Sequence, residues 1–198
     1  MHGTGKTLEI GIGNDSPLIF KKIYPKAEYY GVDKTLDYNL SDKSKSLLDK
    51  FYLIDLEKKS LDVVPNNFFD YVIIAHVIEH LDNGEKVIGE LCNKIKVKGG
   101  FYIEYPRKAS ARFPSMKGTL NFYDDPTHKR FYDINELKSI LTENGFKIIK
   151  SGVKRDFMRI VGLPFMIIKS YATLGYLRGS VFWDLLGFAE YILAEKER

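Results

Sequence analysis

Between Thr7 and Pro106, short β-rich runs alternate with helical patterns, and that rhythm restricts the chain to few folds. The runs are TLEIG, EYYGVD, FYLID, FDYVIIAH and GGFYIEYP. A helix around Leu18, Ile19 and Phe20 is expected after the first, a polar helical stretch around Leu47 and Leu48 after the second, and a helix through Leu91 after the fourth. Strands separated by helices pair in parallel, with helices on both faces of the sheet. Phe69 to Ala75 is nearly continuous in apolar residues, the pattern of a central strand covered on both faces, and is expected in the middle of the sheet.

After Pro106 comes a polar, aromatic-rich loop, RKASARFPSMKGTLNFYDDPTHKRFYD, and then a helix whose first turn is Ile134 to Leu137 and which Gly145 ends. A strand begins at Phe146, and a last strand covers Ala189 to Glu195. Between these two lies an aromatic and aliphatic insertion at about 156–183. With 198 residues and 44% hydrophobic composition, the chain can bury one substantial core, so residues 1–198 are expected to form a single domain. The net charge of +4 is spread along the sequence without a basic arm, and a nucleic-acid partner is not expected. Cys92 is the only cysteine, on the apolar face of a helical pattern, and is expected as a buried thiol in a reducing compartment. The glycine-rich start does not read as a signal peptide, which points to a cytoplasmic location. The most apolar stretch, Ile160 to Ile168, is broken by Pro164 and is far shorter than the ~20 residues that cross a bilayer.

The chain opens MHGTGKTLEIGIGNDS, with two glycine-rich stretches. Gly5-Lys6-Thr7 fits the end of a triphosphate loop, but that loop's first glycine would fall before Met1. Glu9-Ile10-Gly11-Ile12-Gly13 stands in strand-loop-helix context instead. In an open α/β sheet the ligand binds outside the carboxyl ends of the strands. There the sequence collects Glu9, Gly11 and Gly13, then Asp33, then Asp55, then Ala75 and His76, then Tyr105. Glycines admit a ligand close to the backbone, and an acid ending the second strand can accept from both hydroxyls of a ribose. The spacing from Gly11 to Asp33 also suits a nicotinamide dinucleotide, and alone it does not decide. Ser16 stands where a dinucleotide fingerprint has its third glycine, and the Glu9 carboxylate would repel a pyrophosphate but attract an ammonium. A nucleoside bearing an amino acid fits better.

LEIGIGNDS, GVDKT, FYLIDL, FDYVIIAHVIEHL and KVKGGFYIEYP, in this order, resemble the successive motifs of class I S-adenosylmethionine-dependent methyltransferases. The resemblance covers nearly the whole chain from Thr7. It implies a Rossmann-like, mostly parallel seven-stranded sheet with helices on both faces and a C-terminal antiparallel strand pair. It also implies S-adenosylmethionine as cofactor, with Glu9, Gly11 and Gly13 at the methionine end and Asp33 on the ribose. Asp55 and Leu56 would meet the adenine, and Ala75 and His76 would flank the sulfonium. Asp15 departs from the third glycine that many members have, and the family's helix before the first strand has no counterpart, so another segment is expected to cover the site. The implied function is methyl transfer to an oxygen or nitrogen of a small-molecule, glycan or lipid-linked acceptor. The alternatives are a nucleotide-dependent oxidoreductase or a non-catalytic S-adenosylmethionine-binding regulatory subunit.

His76, Glu79 and His80 also spell H-x-x-E-H, a zinc-protease motif whose histidines must share one face of a helix. His76 falls at a strand-helix junction, so Glu79 and His80 are read as orienting the loop and no metal is expected. His128, in the loop after the fifth strand, is a candidate catalytic base for a hydroxyl acceptor, against the alternative of a loop-stapling residue among Phe122, Tyr123 and Tyr132. Asp124 and Asp125 carry the same two readings, since Asp-Asp-Pro is also ordinary turn chemistry. For the insertion, three readings compete: extra core, the contact of a homodimer, or an interfacial element that recruits an apolar acceptor, with membrane-surface contact as the minority option. Part of it is expected to cover the active site.

Overall fold

The computed structural model describes residues 4–37 and 39–197. Its strands are β1 (Lys6–Ile10), β2 (Glu28–Asp33), β3 (Lys50–Leu53), β4 (Phe69–Ala75), β5 (Ile95–Pro106), β6 (Phe146–Val153) and β7 (Ala189–Lys196). They form one sheet in the order β3-β2-β1-β4-β5-β7-β6. The first five pair in parallel, and β7 runs antiparallel to both β5 and β6. Strand order reverses between β1 and β4, which opens a crevice at their carboxyl ends.

The helices are α1 (Ser16–Ile23), α2 (Asp42–Lys45), α3 (Gly84–Lys94), α4 (Ile134–Glu143), α5 (Phe157–Val161), α6 (Leu163–Leu174) and α7 (Trp183–Leu186). One sheet face carries Leu8, Ile10, Val72, Ile74, Phe101 and Ile103, all buried, and receives Val87, Ile88 and Leu91 of α3 with Leu137 and Leu141 of α4. On the opposite face Phe20 of α1 packs on Tyr29 of β2. That face is covered unevenly. Tyr71, Ile73 and Tyr102 on it are only half-buried, so β4 is central but not sealed on both sides.

The polar helix expected around Leu47 and Leu48 is a single turn placed earlier. Ser41 caps it by accepting from Ser44 N–H, and the Ser46 N–H closes it onto Asp42, which frees Leu48 to pack beside Phe20 and Tyr29. Tyr105 is also placed differently from the strand-end reading, wholly buried against Tyr132 rather than at the crevice. Cys92 is buried, as its helical face suggests, and burial pushes its thiol up to about 12.

Candidate active site

The turn after β1 follows directly from its residue types. Gly11 adopts φ 75°, and a Cβ there would stand 2.2 Å from Val77 Cγ2, so only glycine lets this turn lie against the one after β4. Asn14 and Asp15 are also left-handed, at φ 50° and 54°. Asp15 thus takes the conformation for which the family resemblance leads one to expect glycine. Its carboxylate accepts from Ser41 N–H at 2.8 Å and Ser41 Oγ at 2.9 Å, which holds the strained turn.

A cavity of about 940 Å³ opens over the switch point, lined on one side by Glu9, Gly11, Gly13, Asp33, Asp55, Leu56, Ala75 and His76. Every residue that the sequence assigned to the cofactor therefore lines one crevice. The opposite wall comes from the loop after β5 and the end of the insertion: Thr119, Asp125, Thr127, His128, Trp183 and Phe188. Burial pushes the Glu9 carboxyl up to about 7 and also raises that of Asp33. Both gain from a ligand that brings a positive charge or hydroxyl donors. Asp55, at the solvent edge, turns its own loop by accepting from Glu57 N–H at 3.2 Å and pairs with Lys58 at 3.0 Å.

His76 caps β4 with φ 55°, outside the normal range for a side-chain-bearing residue, and its amide donates to Glu104 O at 2.9 Å. Its Nε2 lies 3.3 Å from Glu104 Oε1 and its Nδ1 3.3 Å from Glu79 Oε1. Burial opposes the charge on this imidazole, but the two carboxylates outweigh it and hold its pKa at about 9. Burial likewise opposes ionisation of Glu104, and His76 and Lys154 overcome it, holding Glu104 at about 2. Lys154 reaches Glu104 Oε2 at 2.6 Å from the end of β6. The rings of Trp183 and Phe188 stack at 4.5 Å, with Trp183 5.0 Å from His76.

Residues 76 and 80 do not share a helix. Only Ile78–His80 form a 3-10 turn, so the two-histidine face of a zinc protease is absent here. His128 staples its loop and also lines the cavity. Its Nδ1 is 2.6 Å from Phe122 O and its ring packs on Phe122, which staples the loop, while Nε2 is left facing Glu79. Asp124 anchors the loop: its carboxylate accepts from Met116, Leu120 and Asn121 amides and from Ser115 Oγ at 2.5 to 3.0 Å. Asp125 builds the Asp-Pro-Thr turn by accepting from Thr127 N–H.

Glu104, which pairs with His76, and Lys154, which pairs with Glu104, support this site and were not assigned from the sequence; Trp183 is the end of the insertion expected to cover it. A carboxylate in the otherwise apolar GGFYIEYP strand was the available signal for Glu104. The register of β4 on β5, which sets Ala75 opposite Glu104, is a long-range fact that no local pattern reports.

The sheet order, the crevice and its acids define a nucleoside-binding Rossmann-like methyltransferase fold. A family model described as "Methyltransferase domain" matches residues 4–151, and the chain belongs to that family. It is a methyltransferase enzyme with S-adenosylmethionine as cofactor, and the dinucleotide reading of the glycine loop falls away. Among solved structures, a SAM-dependent methyltransferase from Archaeoglobus fulgidus is similar over 98% of this chain and 87% of its own, with 22% identity and a TM-score of 0.61. An S-adenosylmethionine-dependent methyltransferase from Mesorhizobium loti is similar over 98% and 92%, with 12% identity and a TM-score of 0.65. Phosphoethanolamine N-methyltransferase 2 of Haemonchus contortus, in complex with S-adenosyl-L-methionine, matches all of this chain and 50% of its own, with 15% identity and a TM-score of 0.68. No curated protein sequence is significantly similar.

Proposed function

We propose that residues 1–198 act as one methyltransferase domain that methylates an oxygen or nitrogen of a small-molecule, glycan or lipid-linked acceptor. The supporting observation is the two-walled cavity, with strand ends suited to the cofactor on one side and the His128 loop and Trp183 on the other. The cofactor supplies an electrophilic methyl on a charged sulfur. Glu9 holds the ammonium, Asp33 the ribose hydroxyls, and Asp55 with Leu56 the adenine edge. Ala75 and His76 flank the reacting end. His128 works on the acceptor through Nε2, the lone pair left once Nδ1 is committed to Phe122, and Trp183 excludes water. Methyl transfer is an in-line displacement, so holding the nucleophile close and aligned supplies much of the rate.

The insertion favours an amphiphilic acceptor. Phe157, Phe165 and Ile168 on α5 and α6 are 74%, 70% and 67% exposed, and Arg155, Arg159 and Lys169 lie among them in sequence. Arg159 pairs with Asp184 at 3.2 Å and Arg155 donates to Leu185 O, so the exposed apolar side chains, with Lys169 after them, carry the case for a lipid-linked compound at an interface. Among the described residues no helix is long and apolar enough to cross a membrane. The test is incubation with methyl-labelled S-adenosylmethionine and two fractions of a cell extract, organic and aqueous, followed by mass identification of the labelled product. The expected product is an O- or N-methyl compound in the organic fraction. Label in the aqueous fraction alone overturns the amphiphilic reading, and label in neither overturns the acceptor class.

A further inference from the structure

We propose that Glu79, His80 and His128 form a binding site for a divalent metal ion of the zinc class, on the acceptor side of the cavity. One ligand atom from each residue lies within 4.8 Å of the other two. The Glu79 side chain is 1% exposed, and neither of its carboxylate oxygens has a hydrogen-bond partner. The cation that faces it is the His76 imidazole, 3.3 Å from Oε1, and Oε2 has no donor, so the buried carboxylate is compensated on one oxygen at most.

The two imidazoles are prepared in the way that metal-bound histidines are. His128 commits Nδ1 to Phe122 O at 2.6 Å, and His80 commits Nδ1 to Thr127, whose O is at 3.2 Å and whose Oγ1, its own hydrogen given to Asp125 Oδ1, is at 2.9 Å. A carbonyl can only accept, so Nδ1 carries the proton in both rings and Nε2 carries the lone pair. His128 Nε2 stands 3.9 Å from Glu79 Oε1. A lone pair facing a carboxylate is repulsive until a cation, a second ring proton or a metal ion, lies between them. Zinc bonds of about 2.0 to 2.2 Å put neighbouring ligand atoms about 3.4 Å apart, within reach of small side-chain rotations.

The backbone holds the two halves of the cluster together, since Lys129 N–H donates to Glu79 O at 2.8 Å. Asp125 Oδ2, 4.0 Å from His128 Nε2, stands beside the cluster. The sequence reading assigned no metal because it paired His76 with His80. The ligand set uses His128 in place of His76; both histidines stand nearest Glu79 Oε1, at 3.9 and 3.3 Å, so an ion beside His128 shares Oε1 with His76 or takes Oε2 after a rotation of the carboxylate.

Three protein ligands leave a coordination position open. Resting on the acceptor reading above, that position takes an acceptor hydroxyl; with the ion bound, the His128 Nε2 lone pair is held by the metal, and the ion replaces His128 as the group that activates the hydroxyl. The metal-bound hydroxyl loses its proton to solvent, its oxygen forms the bond to the methyl carbon, and the carbon–sulfur bond breaks with its electron pair left on sulfur, giving S-adenosylhomocysteine.

The test is calorimetric titration of Zn²⁺ alone into chelator-treated full-length protein and into His80→Ala, His128→Ala and Glu79→Gln. The same samples are titrated separately with S-adenosylhomocysteine, and circular dichroism checks the fold. One ion per chain is expected, with affinity at least tenfold weaker in each variant, the scale on which even outer-shell partners of a metal site act. Retained S-adenosylhomocysteine binding in folded His80→Ala shows that the loss is local. Visible absorption bands of tetrahedral Co²⁺, lost in His80→Ala, give a second readout. No stoichiometric Zn²⁺ binding, or binding unchanged in folded His80→Ala and His128→Ala, overturns the site. Stoichiometric Zn²⁺ binding that all three variants weaken, in protein that transfers methyl only to nitrogen or to nothing, keeps the site and overturns the hydroxyl reading.

Discussion

The Asp15 carboxylate grips both the amide and the hydroxyl of Ser41, at 2.8 and 2.9 Å, while the Asp15 backbone stands in a left-handed conformation normally left to glycine. Side-chain hydrogen bonds here do what backbone freedom does elsewhere. Asp15→Ala loses the bonds and keeps the strain, whereas Asp15→Gly loses the bonds and relieves it. Calorimetry with S-adenosylhomocysteine should therefore rank affinity as wild type first, Asp15→Gly second and Asp15→Ala last. Equal affinity in all three would show that the turn does not depend on this pair.

Glu9 makes cofactor binding proton-linked. Burial raises its carboxyl from 4.5 to about 7, so between those values the folded protein holds a proton that the unfolded chain has released. The cofactor-free protein accordingly loses stability as pH rises from 4.5 to about 7 and gains nothing beyond. An ammonium beside Glu9 favours the ionised form, so S-adenosylmethionine binding near pH 6 should release a proton. Titrations in buffers of different ionisation enthalpy measure that release. It should fade by pH 9 and vanish in Glu9→Gln. Release that persists in Glu9→Gln places the proton on another group.

Asp124 and His128 should separate cleanly. Asp124 accepts from three loop amides and Ser115, and its carboxyl is held at about 2 because these bonds outweigh the cost of burial. Asp124→Ala should cost about 1–3 kcal/mol of stability, seen as a lowered Tm. The Asp124 contribution is full above pH 3.8 and is lost as pH falls through about 2. His128→Ala should lower kcat about 100-fold or more, the low end for proton-transfer catalysis, with S-adenosylhomocysteine affinity intact. A His128→Ala protein that instead loses cofactor binding leaves this residue only its stapling role.

Trp183 stands at the acceptor wall, its Nε1–H donating to Thr119 O at 2.5 Å and its ring stacked on Phe188. Trp183→Ala should raise the acceptor KM and lower kcat while thermal stabilisation by S-adenosylhomocysteine persists. Unchanged kinetics would make the end of the insertion a packing element rather than a cover.

The cofactor half of the crevice was legible because its parts sit at strand ends, and strand ends are marked by apolar runs that stop at Gly11, Asp33 and Ala75. The acceptor half was less so. Glu104 reaches His76 only through the β4–β5 ladder, and Lys154 reaches Glu104 only because β6 and β7 fold back antiparallel. The pairing of Glu79 with His128 depends on the loop of residues 107–133 doubling back, which Asp124 and Asn121 enforce with hydrogen bonds that composition does not announce. The insertion divides: Trp183 reaches the cavity, whereas α5 and α6 expose their apolar side chains, and no local pattern separated the two parts.

The central claim is that the acids at the ends of β1 and β2 hold S-adenosylmethionine, and Asp33 tests it most directly. Calorimetric titration of S-adenosylhomocysteine into wild type should give saturable one-to-one binding, and NAD should give no saturable heat. Asp33→Ala should lose roughly 1.5 to 3 kcal/mol, about 10- to 150-fold in Kd, because two ribose hydroxyls lose a charged acceptor. An Asp33→Ala protein that binds S-adenosylhomocysteine as tightly as wild type would contradict the account.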